Sequence, residues 1–166
     1  GIETLIHSFE KFWKKYNFIR LFIVGHKESD YGRKIEQAAK NSQHALKIHF
    51  TGKVDKVLDY YSIANIFVLP TKKKGEGCPV SLLEAMSCGI TPIASNVSGI
   101  KDVLNPFPEL MFSPGDIYSL TEKLERVILA KDDKKSIYRN YILKNYNIDI
   151  EVNNHMKIYK KLLGAS

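Results

Sequence analysis

Cysteine is scarce in this chain: Cys78 and Cys88 are the only two in 166 residues, and they show no CxxC or metal-like spacing. That excludes a disulfide framework and favours a reduced, cytosolic setting. No apolar run approaches the roughly 18–20 residues of a membrane-spanning helix. Nothing at the start reads as a secretory signal. The five histidines, His7, His26, His44, His49 and His155, lack HxxxH and HExxH spacing, so no zinc site is expected. A D-x-D metal pair is also missing. Asp132-Asp133 reads as a turn among lysines, and Asp149-x-Glu151 as the acidic start of a helix. No Ser-His-Asp or Cys-His arrangement stands out, and the cysteines read as packing residues rather than nucleophiles. Neither a metal ion nor a cofactor is expected.

What is present suits a globular domain. Hydrophobic residues make up 44% and aromatics 11% of the chain, enough for one compact unit with a real core. The net charge of +7 comes from lysines in runs: Lys14-Lys15, Lys72-Lys73-Lys74, Lys134-Lys135 and Lys160-Lys161. Two readings stand: a solvated basic surface, or attraction to an anionic membrane surface or a phosphate-bearing ligand. Nucleic acid is not the expected partner, because no aromatic is interleaved with the basic runs as a stacking platform.

Apolar residues recur in two alternating patterns. Ile2, Leu5, Ile6, Phe9, Phe12, Trp13 and Tyr16 step by three and four, the period of an amphipathic helix. Leu21-Phe22-Ile23-Val24 follows as a short continuous run closed by Gly25, which predicts a buried strand. Further strands are predicted around 48–50, 66–69, 91–94 and 110–112. Helices are predicted around 31–42, 55–64, 79–88, 100–104, from 118 onward and in the tail. Strands separated by helices imply a parallel sheet covered on both faces by right-handed crossovers. The expected fold is one doubly wound, Rossmann-like α/β domain over residues 1–166, with ligands bound at the carboxyl ends of the strands.

The stretch GEGCPVSLLEAMSCG, residues 75–89, leaves the strand 66–69 at that end. Pro79 or Val80 would open a helix and Gly89 would close it. Glu76 then lies in the loop before the helix, and Glu84 in its second turn among Leu82, Leu83, Ala85 and Met86. Free N–H groups around Cys78, Val80 and Ser81, at the positive end of a helix, make a seat for phosphate. A carboxylate on each side can accept from sugar or ribose hydroxyls. A nucleotide-sugar fits both demands. The plainer reading is that Glu76 supports the helix dipole and Glu84 is solvated or paired with a lysine.

The run Glu76-Gly77-Cys78-Pro79-Val80-Ser81-Leu82-Leu83-Glu84-Ala85-Met86 resembles the E-x7-E signature of family 4 retaining glycosyltransferases of GT-B fold. The likeness extends to Ala64–Thr71 before it, to Thr91–Ser95 and Val97–Ile100 after it, to Ser113–Asp116, and to Gly1–Ile6 at the start. The resemblance implies that Glu76 orients the donor sugar as the catalytic acid-bearing residue and that Glu84 holds the ribose hydroxyls. Backbone amides over Gly77, Cys78, Pro79, Val80 and Ser81 would hold sugar and distal phosphate. The turn Gly52-Lys53-Val54 would lie against the base. It further implies a UDP-, GDP- or ADP-linked hexose donor, a glycan or lipid-linked acceptor, and retention of configuration. The setting implied is bacterial and cytoplasmic, with peripheral membrane contact, in polysaccharide biosynthesis.

The sequence departs from that pattern in places. Pro79 stands where a glycine is common, removing one amide donor. The stretch Lys72–Gly75 lengthens the loop before Glu76; its lysines meet an anion or are simply solvated. The chain begins at Gly1, already inside a helix pattern. The first strand, an upstream basic pair and the acceptor-binding lobe are therefore expected outside it. The chain is expected to be the donor-binding half of a two-domain enzyme, inactive alone. Two other readings remain: a GT-B-like epimerase or phosphorylase lobe, and a non-catalytic nucleotide-binding scaffold.

Overall fold

The computed structural model describes residues 1–73, 75–130 and 134–164. Lys74, the third lysine of its run, and the Asp132-Asp133 turn lie outside the described residues. Among the described residues five strands and eight α-helices follow one another, alternating up to α6: α1 (Ile2–Trp13), β1 (Leu21–Val24), α2 (Asp30–Lys40), β2 (Ile48–Gly52), α3 (Val57–Ile63), β3 (Ile66–Leu69), α4 (Val80–Ser87), β4 (Thr91–Ser95), α5 (Ile100–Leu104), β5 (Met111–Phe112), α6 (Ile117–Ala130), α7 (Lys135–Asn145) and α8 (Ile148–Leu162). The pairings are parallel throughout, as expected for apolar strands joined by helical crossovers.

The sheet expected as one runs as two. β1 pairs with β2, while β3, β4 and β5 form a three-stranded piece. Both β1 and β3 are therefore edge strands among the described residues. Helix α1 bridges the pieces. Its Leu5 and Phe12 pack with Ile93, Phe112, Leu120 and Leu124, and its Ile6 and Phe9 pack with Ile35, Ala39 and Ile48.

Alternation along the strands explains the two layers. Successive side chains of a strand point to opposite faces, so Ile66, Val68 and Ile93 meet α1 and α6. Phe67, Leu69 and Ala94 face the opposite cluster, built from Leu82, Met86, Ile100, Leu104, Tyr138 and Ile142. β1 departs from the buried strand predicted for it. Leu21 and Ile23 pack toward α1 and α2, but Phe22 and Val24 stay 42% and 37% exposed. On that face Phe22 meets the rings of His49 and Tyr60, at centroid distances of 5.1 and 6.0 Å.

Local rules account for the helix ends. Ser29 caps α2 by accepting from the Gly32 amide at 3.0 Å, and Asn147 caps α8 by accepting from the Ile150 amide at 2.9 Å, each satisfying one open donor. Asp149 and Glu151 sit in the first turn of α8, as read from the sequence. That helix buries none of its residues, so its apolar positions Ile148, Val152, Met156 and Leu162 are exposed. Helix α7 was not anticipated. Its buried positions, Tyr138 and Ile142, are one turn apart in a stretch where Lys, Arg and Asn are interleaved with apolar residues. No helix among the described residues is long and apolar enough to cross a membrane.

Candidate functional site

The loop after β3 and helix α4 meet the loop after β4 at the carboxyl ends of the strands. Helix α4 begins at Val80, with Pro79 in the capping position and no side-chain cap. It closes as a Schellman motif: the Gly89 amide donates to the Met86 carbonyl at 2.9 Å, and the Ile90 amide to the Ala85 carbonyl at 3.0 Å. Gly89 takes φ of +76° there, a conformation glycine adopts without penalty. Ile90 packs on Ala85, completing the motif. The helix limits predicted around Pro79 and Gly89 are those observed.

Glu76 is held twice. Its amide donates to the Ser98 carbonyl at 2.9 Å, and its Oε1 accepts from the Thr71 hydroxyl at 2.6 Å. Thr71 stands just past β3, separated from it by Pro70, so the strand end positions the carboxylate. The two loops touch backbone to backbone. A Cβ on Gly75 would lie 3.0 Å from Ser98 Cβ, and one on Gly99 would lie 1.8 Å from the Glu76 carbonyl oxygen. By contrast, a Cβ on Gly77 would meet nothing within 4 Å. Open space therefore lies in front of that residue.

At the helix start the Val80 amide donates to the Cys78 carbonyl at 2.9 Å. The amides of Gly77, Cys78 and Ser81 have no partner among the described residues. The sequence reading of open donors thus holds for Cys78 and Ser81 and fails for Val80. Gly77, Cys78 and Val80 are exposed while Pro79 is buried. Uncapped amides at a helix N-terminus carry partial positive charge toward solvent.

Glu84 is not a buried charge. It is exposed, while Leu82, Ala85 and Met86 supply the buried face of α4. Its Oε2 accepts from the Tyr61 hydroxyl at 3.1 Å. The carboxylate lines a cavity of about 500 Å³ together with Asp55, Lys56, Asp59, Ser87 and Cys88. Gly52, Lys53 and Val54 were expected to face the base. They lie just before this cavity rather than in its wall: Gly52 ends β2 at φ +72°, Lys53 is exposed and Val54 half-buried.

Three contributors escaped the sequence reading: Thr71 as an anchor of Glu76, Ser98 as its backbone acceptor, and Tyr61 as the partner of Glu84. A buried tyrosine one turn before a strand was a weak signal for the last. The others depend on two loops meeting in space. Lys72 passes over Gly115, whose Cβ would lie 3.3 Å from Lys72 Cε. His26 pairs with Glu28. Among the described residues no group of three or more His, Cys, Asp or Glu is arranged to hold a metal ion.

Burial, then the Glu84 charge and hydrogen bond, push the Tyr61 phenol above its ordinary value. Burial chiefly pushes Tyr146 up to about 12 from 10.0. Both groups favour the neutral form in the folded state. Their contribution to stability is complete below pH 10 and is lost as pH rises toward and beyond 12. Alkaline denaturation is expected to track a late tyrosine titration in the ultraviolet spectrum. Tyr146→Phe, which removes a hydroxyl lying 3.4 Å from the Asp102 carbonyl and in contact with the Tyr141 side chain, should flatten the loss. An unchanged alkaline slope in that variant would contradict this assignment.

A parallel α/β domain that gathers an acidic loop, an uncapped helix start and a second carboxylate at its strand ends has the Rossmann-like fold of a GT-B lobe. The chain belongs to the family Glycosyl transferases group 1, whose model matches residues 1–144. It is 27% identical over 174 aligned residues to an uncharacterized glycosyltransferase of Methanocaldococcus jannaschii, covering 99% of this chain and 43% of that protein. It is 29% identical to the capsular polysaccharide biosynthesis glycosyltransferase CapM of Staphylococcus aureus, over 84% of this chain and 36% of that protein. The crystal structure of a glycosyltransferase from Rickettsia africae superposes with a TM-score of 0.86 at 16% identity, covering 98% of this chain and 45% of that one. The chain therefore spans less than half the length of these curated relatives.

Proposed function

We propose that this domain binds the nucleotide-sugar donor of a retaining hexosyltransferase and presents it to a glycan or lipid-linked acceptor held by another part of the protein. One observation carries the reading. The open amides of Gly77, Cys78 and Ser81 lie between an anchored carboxylate, Glu76, and an exposed one, Glu84. An anion fits the amides, and hydroxyls fit the carboxylates.

In this reading the diphosphate rests at the start of α4, with the open space before Gly77 admitting the sugar. Glu76, tied to Thr71, receives sugar hydroxyls and orients the anomeric carbon. Glu84 takes the ribose hydroxyls, and the base extends into the cavity beyond Asp55. Rate enhancement comes from positioning and from stabilising the departing diphosphate. The helix end supplies positive charge, so the reading calls on no metal ion. The capsule-forming relative makes a surface polysaccharide the favoured product class. A cytoplasmic enzyme with peripheral membrane contact follows from that choice.

Calorimetric titration of the full-length protein with UDP, GDP and ADP tests the assignment. One diphosphate should bind, and Glu84→Gln should weaken it about tenfold, the scale of a lost charged hydrogen bond. Release of free nucleoside diphosphate during turnover separates transfer from epimerase chemistry. Equal affinity in wild type and Glu84→Gln would sink the ribose assignment.

A further inference from the structure

The second acid is not left to its own rotamers. Tyr61 stands on α3, buried against Ala85, Ile90 and Phe67, with its ring 6.2 Å from that of Phe67 in an edge-to-face contact. Its hydroxyl reaches out of this apolar setting to helix α4. There it lies 3.3 Å from the Ser81 carbonyl and 3.1 Å from Glu84 Oε2. A phenol carries a single proton to donate, and the charged oxygen is the stronger acceptor. Burial and the Glu84 charge keep the phenol neutral, so it remains a donor. Glu84 Oε1 has no hydrogen-bond partner among the described residues. Exposed glutamates ordinarily sample several rotamers, and ordering one on binding lowers affinity.

We propose that Tyr61 is a positioning residue for ribose recognition: anchored by the α3–α4 packing, its hydroxyl fixes one oxygen of Glu84 and leaves the other aimed at the ligand. The inference rests on the reading of Glu84 as the ribose acceptor. It goes beyond that reading by assigning part of the ribose preference to a residue that never touches the nucleotide. The phenol acts through geometry, so the effect should appear only when hydroxyls are there to be bound. A ligand lacking both ribose hydroxyls gains nothing from an oriented carboxylate.

The test compares the nucleoside diphosphate that binds the full-length protein best, among UDP, GDP and ADP, with its 2′,3′-dideoxy counterpart. The readout is the affinity ratio of the two in each variant. Tyr61→Phe should shrink that ratio about three- to tenfold, the factor expected for disordering one rotamer-rich side chain. The loss should fall on the ribose ligand alone, with dideoxy affinity unchanged. Glu84→Gln should bring the ratio close to one. Phe67→Leu disturbs the same packing without touching the hydroxyl, and should leave the ratio as in wild type. If Tyr61→Phe does not fold, Tyr61→Met removes the hydroxyl in another apolar side chain.

A wild-type ratio retained in the hydroxyl-less variant, while Glu84→Gln abolishes it, overturns the role of Tyr61 and leaves Glu84 in place. An equal shrinkage in Phe67→Leu also overturns it, since packing would then be the cause. A ratio near one in wild type, or one unaffected by Glu84→Gln, removes the ribose assignment and this inference with it.

Discussion

A Glu76→Gln enzyme is expected to keep its fold and its nucleotide affinity and to lose about two to three orders of magnitude in kcat, the range seen when one preorganised electrostatic group is removed. The substitution preserves shape. A glutamine Oε1 can still accept from the Thr71 hydroxyl, which lies 2.6 Å from Glu76 Oε1, and the backbone bond to Ser98 is untouched. What disappears is the negative charge that, in the proposed function, orients sugar hydroxyls and meets the charge developing at the anomeric carbon. Loss confined to kcat marks an interaction used in the transition state, whereas a rise in KM alone would mark uniform binding. Steady-state kinetics on the full-length enzyme, with diphosphate affinity measured in parallel, separate the two. Unchanged kcat would remove Glu76 from the chemistry and leave it a loop acid.

Gly99→Ala should be strongly disruptive for a single added methyl, lowering stability by about 3 kcal/mol or more. Gly99 sits at φ +80° and ψ −48°, a region strained for any residue with a Cβ, where even the milder left-handed region costs about 1–2 kcal/mol. The added carbon would also lie 1.8 Å from the Glu76 carbonyl oxygen. That atom is backbone, so one loop must move, and the Glu76–Ser98 hydrogen bond moves with it. For a domain of this size the melting temperature should fall by roughly 6–12 °C, with activity lost alongside. Gly77→Ala is the internal control, since a Cβ there meets open space. It should melt like wild type and weaken only ligand binding. Equal stability of the two variants would show that the inter-loop contact is not built as described.

These two glycines show where sequence reasoning ends. Both stand in a conspicuous glycine-marked segment, yet one is open to ligand and the other wedged against backbone. Only the approach of two loops more than twenty positions apart distinguishes them. The same holds for the two acids. Their eight-residue spacing, the helix between them and its Gly89 stop were legible, because capping and periodicity act over a few residues. The puzzle of Glu84 among apolar neighbours dissolves once α4 is placed: one face packs, and the acid points elsewhere. Helix α7 was obscured for a related reason, since its two buried positions carry little signal until α4 and α5 lie against them.

The sequence by itself determined the alternation of strands and helices, the parallel pairing that such connections require, and the acidic segment at the strand ends. Each follows from local propensity, hydrophobic period or chain connectivity. The tertiary structure alone decided that the sheet divides into a β1–β2 piece and a β3–β4–β5 piece, that α1 packs against both, that Thr71 and Ser98 hold Glu76, and that Tyr61 reaches Glu84. Those are contacts between residues from separate elements. Their geometry is set by how the layers pack, not by any pattern within one stretch of chain.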